Sequence, residues 1–94
     1  MNVREYLNSN ILIFDGSMGT YFASKYKTSY EKCELANIKD SSLVYDIHKE
    51  YIDAGCKAIK TNTFAANLME LGGDEKLLEE VIAAGWEKAV KAAD

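Results

Sequence analysis

Ile11-Leu12-Ile13-Phe14-Asp15-Gly16-Ser17-Met18-Gly19-Thr20 is the stretch on which the fold of this 94-residue chain turns. Four consecutive apolar, β-favouring residues read as a buried strand, because a strand covered on both faces needs no alternation of apolar and polar residues. An acid and two glycines follow at once. In α/β proteins the carboxyl ends of parallel strands carry the ligand sites, and glycine there lets the backbone turn and approach a ligand with no Cβ in the way. The order of residues therefore sets Asp15 at the mouth of a crevice, with the backbone of Gly16 and Ser17 beside it.

On either side the pattern alternates helix and strand. Val3, Tyr6 and Leu7 at helical spacing predict a short leading helix over 2–8. Met18, Tyr21, Phe22 and Tyr26 predict a helix over 18–26, and the polar run 27–39 reads as a long loop. Asp40 is an N-cap residue ahead of the stripe Leu43, Val44, Ile47, Tyr51 and Ile52, and Gly55 stops that helix. A second strand over 56–61 follows and ends in Thr61-Asn62-Thr63-Phe64. Strand, helix and strand in that order imply a right-handed parallel crossover, which brings this polar cluster to the same rim as Asp15. Residues 65–71 form a short helical turn, Gly72-Gly73 breaks it, and Asp74 caps a last helix over 75–93. Leu78, Val81, Ile82, Gly85, Trp86 and Ala89 share the face of that helix expected to be buried.

Composition narrows the function classes. A net charge of -4 and a pI near 5.0 argue against a nucleic-acid partner, which calls for clustered Lys and Arg. Residues 1–10 lack a signal-peptide pattern and no apolar run approaches the roughly 18 residues of a membrane span, so neither export nor a membrane is expected and the cytoplasm is the default location. Cys33 and Cys56 stand far apart without a nearby histidine, so they are read as free thiols and no metal site is assigned. His48, the single histidine, falls on the third helix away from the strand ends and is read as a packing or hydrogen-bonding residue. Tyr21, Tyr26 and Tyr30 are read as packing.

The segments Ile-Leu-Ile-Phe-Asp-Gly-Ser-Met-Gly-Thr at 11–20, Cys33-Glu34-Leu35-Ala36-Asn37, Ile47-His48-x-x-Tyr51-x-x-Ala54-Gly55 and Thr61-Asn62-Thr63-Phe64 occur in one order and register. Together they resemble the homocysteine S-methyltransferase domain, the homocysteine-binding part of methionine synthases and of related single-domain enzymes. The resemblance covers most of the chain. It implies an α/β fold of two βα units, the N-terminal quarter of a (β/α)8 TIM barrel behind a short leading helix, with 1–94 as one fragment lacking an internal boundary. It also implies methyl transfer to the homocysteine thiol to give methionine, with the sulfur activated by a zinc ion that three cysteines hold. Those cysteines lie later in the family's barrel, so the resemblance implies a chain inactive alone, with no catalytic residue and no metal ligand of its own.

Carried over residue by residue, the resemblance makes Asp15 the contact for the homocysteine ammonium and Gly16 and Ser17 the backbone at its amino-acid end. Asn62 and Thr63 line the same site, and Glu34 and Asn37 are further candidates. Each has a plainer reading as well: Asp15 as a turn-satisfying acid, Asn62 and Thr63 as loop caps. Relatives that use betaine carry an aromatic residue where this chain has Ala65, so the likeness points to a folate-linked donor such as methyltetrahydrofolate. Ser41 stands where relatives often have proline, a difference at helix entry. Two parallel strands leave edges uncovered, so self-association or the remainder of the barrel is expected to cover them. A non-catalytic small-molecule-binding or self-assembling βαβ module stays open as the alternative, because a fold alone does not fix function.

Overall fold

Two long helices carry most of the packing in the computed structural model, which describes residues 2–27 and 32–94. Helix α4, Ser41–Asp53, follows Asp40 at its N-cap and buries Val44, Ile47 and His48. It ends as its sequence requires: Gly55 takes φ +115°, a conformation that a side chain rarely tolerates. Helix α5, Glu75–Ala93, begins where the Asp74 carboxylate accepts the Leu77 N–H at 3.0 Å. Its buried stripe is Val81, Gly85, Ala89 and Ala92, and these small residues let α5 lie close along α4.

The other helices are shorter. Helix α1, Val3–Ser9, is capped by Asn2 and buries none of its residues. Helix α2, Gly19–Tyr26, buries Phe22 and closes on Lys27 in the left-handed region. Phe22 joins Ala36, Val44 and Ile47 in the core, with Met18, Tyr21, Tyr26, Leu43 and Tyr51 packed around them. Tyr21 and Tyr26 are therefore the packing residues that their spacing indicated, whereas Tyr30 lies outside the described residues.

Part of the expected loop 27–39 is helical. A 3₁₀ turn at Cys33–Leu35 runs into α3, Ala36–Lys39, which buries Ala36 and Asn37 against α4 and α5. Good helix formers at Glu34-Leu35-Ala36 allow the turn, and contact with the longer helices holds it.

The α/β expectation is not met. Among the described residues there is no β-sheet, and the two predicted strands, 11–14 and 56–61, meet at one parallel bridge between Phe14 and Ala58. The Asp15 N–H donates to the Ala58 carbonyl at 3.0 Å, and the Lys57 and Ala58 N–H groups donate to the Ile13 carbonyl at 2.7 and 3.2 Å. Two βα units of a (β/α)8 barrel are thus replaced by a helical arrangement with a short backbone tie. The cause is missing cover. A parallel pair is stable when both faces and edges are packed, and here Ile11, Ile13 and Phe14 are each more than half exposed. The stripe on α5 is narrower than expected for the same reason, since Ile82 and Trp86 face outward.

Candidate functional site

The single bridge still decides where Asp15 sits. By tying Asp15 to Ala58 it lays the acid loop against the 60–63 segment, and the two segments open on one cavity of about 710 Å³. Asp15, Gly16, Ser17, Glu34, Asn62 and Thr63 all line it. Asn37 does not.

Asp15 is nearly enclosed, with its side chain 4% exposed. Its Oδ2 accepts the Lys60 backbone N–H at 3.2 Å, and Oδ1 lies 3.2 Å from the Lys60 ammonium without receiving a hydrogen bond. A buried carboxylate oxygen that lacks a donor is costly, and it is an acceptor for any cation the cavity admits. Lys60 was missed as a site residue. Side chains alternate along an extended segment, and it is Lys60 that lines this cavity while Lys57 lines another.

Behind Asp15, the Gly16–Ser17 turn rests on α4. The Tyr51 hydroxyl donates to the Ser17 carbonyl at 2.7 Å, and the Tyr21 ring packs on Tyr51 with centroids 5.8 Å apart. Tyr21 in turn donates to Glu50, which pairs with Lys25 at 2.6 Å. The hydrogen bond from Lys25 holds the Glu50 carboxyl below its usual range, while the bond to Glu50 raises the Tyr21 phenol.

The opposite wall is a network of amides. Asn37 is wholly buried and its Nδ2 donates to the Asn62 carbonyl at 2.8 Å and the Val81 carbonyl at 3.1 Å. Asn62 Nδ2 donates to Asn37 Oδ1 at 2.9 Å and to the Cys33 carbonyl at 3.1 Å. Glu34 Oε2 accepts the Ala65 N–H at 3.0 Å, and the Thr61 and Thr63 hydroxyls share a hydrogen bond of 2.7 Å. Asn37 and the Asn62 amide nitrogen are thus braces between α3, α5 and the 61–65 segment.

His48 lies inside the protein and off the cavity wall. Burial pushes its pKa below the ordinary 6.5, opposed by the charge of Asp15, so the ring is neutral at pH 7. Its two ring nitrogens have no hydrogen-bond partner among the described residues. The packing reading holds for this residue, and the hydrogen-bonding one does not.

Cys33 and Cys56 are both free thiols, and they line different cavities. Burial, with the Glu34 charge second, raises the Cys33 thiol above its ordinary pKa, so it stays protonated at pH 7. No group of three or more His, Cys, Asp or Glu suited to a metal occurs among the described residues. The donor set of the described residues therefore does not fit a zinc ion, and the cysteines that the resemblance gives to zinc are not among them. No helix among the described residues is long and apolar enough to cross a membrane.

Over residues 12–94 the chain matches the homocysteine S-methyltransferase family. It is 34% identical over 74 residues to a methionine synthase of Mycobacterium tuberculosis (strain ATCC 25618 / H37Rv), an alignment covering 72% of this chain and 6% of that protein. A methionine synthase of Mycobacterium leprae (strain TN) gives the same identity and coverage. The chain thus spans a small fraction of the curated relatives that it matches. No solved structure matches it. Since the family match takes in the acid loop, the amide network and both long helices, the chain belongs to the homocysteine S-methyltransferase family.

Proposed function

We propose that this chain provides the subsite for the amino-acid end of homocysteine in a methyl transfer that yields methionine. The observation that carries the reading is Asp15 Oδ1, buried in the cavity wall with no hydrogen bond and with only the exposed, displaceable Lys60 ammonium 3.2 Å away. The homocysteine ammonium supplies a donor, and the pair forms a charge-assisted hydrogen bond away from solvent. The substrate carboxylate lies on the N–H groups of Gly16 and Ser17, which donate to no acceptor among the described residues. Thr63 and the carboxylate of Glu34 bound the rest of the pocket. Asn62 and Asn37 hold its shape.

The methyl donor in this reading is folate-linked, methyltetrahydrofolate being the example, because Ala65 stands where betaine users have an aromatic residue. In this reading the described residues contribute no metal ligand, because the two thiols line different cavities. The reading includes a cytoplasmic location, where Cys33 and Cys56 stay reduced. It also gives the exposed residues Ile11, Ile13 and Phe14 cover, from a second copy of the chain or the rest of a longer polypeptide.

Calorimetric titration of L-homocysteine into the chain and into Asp15→Asn tests the proposal. A hydrogen bond to a charged group contributes roughly 1.5–3 kcal/mol, so the substitution weakens binding by about ten- to a hundredfold. Equal binding by the two proteins removes Asp15 from the site.

A further inference from the structure

Tyr51 lies outside the cavity, yet it makes the closest contact to the turn that forms one of the cavity's walls. Its hydroxyl donates to the Ser17 carbonyl at 2.7 Å. Its ring also fills the space above Gly16: a Cβ on that residue would lie 2.9 Å from the Tyr51 oxygen and 3.1 Å from Cε1. The turn is therefore flattened onto the ring, and glycine at 16 is required by this approach. Tyr51 is itself held from the far side by Tyr21, whose hydroxyl engages Glu50 one residue before Tyr51 on α4.

The consequence concerns the backbone groups of the turn. Among the described residues, the Ser17 carbonyl has the Tyr51 hydroxyl as its donor, whereas the N–H groups of Gly16 and Ser17 have no acceptor. A peptide plane whose carbonyl is fastened to α4 cannot rotate without breaking that bond. That plane carries the Met18 N–H, which points away from the fastened carbonyl and has no acceptor among the described residues, so the bond fixes the N–H that follows those of Gly16 and Ser17, and an ordered row of N–H groups is an anion site. Loss of the hydroxyl frees the plane while leaving the ring in place.

We infer that Tyr51 is a positioning residue for ligand recognition, fixing the Ser17–Met18 peptide by its hydroxyl and the Gly16 backbone by its ring, so that the N–H groups from Gly16 to Met18 meet a carboxylate while Tyr51 itself touches no ligand. The inference rests on the reading of the cavity as an amino-acid subsite. It goes beyond that reading by dividing the subsite into an ammonium half governed by Asp15 and a carboxylate half governed, through the backbone, by Tyr51.

The test uses the full chain, the Tyr51→Phe variant and two probes: L-homocysteine, and 3-aminopropane-1-thiol, which is homocysteine without its carboxylate. A net hydrogen-bond contribution of about 0.5–1.5 kcal/mol converts to about a three- to tenfold change in affinity. Tyr51→Phe is expected to weaken L-homocysteine by that factor and to leave 3-aminopropane-1-thiol unchanged. A merely structural role lowers both affinities alike, and that result overturns the inference. Amide hydrogen exchange on the ligand-free proteins gives a second readout, with faster exchange expected at Gly16, Ser17 and Met18 and unchanged rates in α5. If the unsubstituted chain binds neither probe, the subsite proposal fails, and exchange alone decides whether Tyr51 orders the turn. Unchanged exchange at those three amides refutes its positioning role.

Discussion

Gly85 sits in the middle of α5, where replacing glycine by alanine ordinarily stabilises a helix by about 1 kcal/mol. Here the opposite is expected. A Cβ on Gly85 would lie 2.7 Å from Asn37 Nδ2 and 3.1 Å from Thr63 Cγ2, while ordinary contact begins near 3.4 Å. The Asn37 amide would have to retreat by roughly 0.7 Å, the difference between 3.4 and 2.7 Å. It has nowhere to go, since it is wholly buried and its Nδ2 is committed to the Asn62 and Val81 carbonyls at 2.8 and 3.1 Å. A shift of that size breaks at least one of these bonds. An unmade buried hydrogen bond costs about 1–3 kcal/mol and overpacking about as much again. Against a gain of about 1 kcal/mol, Gly85→Ala should destabilise the chain by about 1–5 kcal/mol.

Urea denaturation followed by far-UV circular dichroism is the suitable assay. Trp86 is largely exposed in the folded chain, so its fluorescence reports unfolding poorly. The decisive comparison is a double-mutant cycle with Asn37→Ala, which removes the obstructing amide. In that background Gly85→Ala should be close to neutral or stabilising, with only the Thr63 methyl left to adjust, so the two substitutions are strongly non-additive. A rise in stability of about 1 kcal/mol for Gly85→Ala alone, or the same effect in both backgrounds, would refute the argument.

His48 makes stability depend on pH with a definite sign. Its folded pKa lies below the ordinary 6.5, so as pH falls through 6.5 the unfolded chain takes up a proton that the folded chain resists. Its contribution is therefore complete above 6.5 and is lost as pH falls toward the folded value. His48→Gln should flatten the slope of unfolding free energy between pH 7 and 5, and an unchanged slope counts against a buried neutral ring. Association is expected through the exposed apolar residues of 11–14, so sedimentation velocity should show a species heavier than the 10.5 kDa chain at micromolar concentration. A monomer at every concentration, with full helical content, argues against it.

What the sequence made legible were the features with a local physical cause. Asp40, Asp74, Gly55 and the Gly72-Gly73 break were readable because caps and left-handed turns depend on a few adjacent residues. The convergence of 15–17 and 61–63 on one cavity was readable because it needs only that the two segments run parallel past each other. The sheet was not, although Ile11–Phe14 has every local sign of a strand. Strand propensity expresses packing against neighbours, and the described residues offer that run one partner at one bridge. Ile82 and Trp86 misled for a similar reason: helical spacing gives the width of an apolar stripe, not the width of the surface available to cover it.

The amide network shows why spacing found the right residues but not their roles. Asn37 and Asn62 were singled out together because polar side chains recur at the positions of a known motif, and that signal does not distinguish touching a ligand from holding the wall that does. The structure distinguishes them by counting donors. Asn37 Nδ2 carries two hydrogens and meets two carbonyls, and its Oδ1 is met by Asn62, so nothing remains to offer a ligand on its donor side. Asn62 Nδ2 is likewise engaged by Cys33 and Asn37. Asp15 is the contrasting case, since one of its buried oxygens lacks a hydrogen-bond donor. A buried group whose bonds are all made within the chain serves the fold, and one left short of a bond favours a ligand where it also faces a cavity, as Asp15 does and His48, equally short of partners, does not. In the proposed reading the motif therefore divides into Asn37 and the Asn62 amide nitrogen as frame, and Asp15 with the Gly16–Ser17 N–H groups as contact.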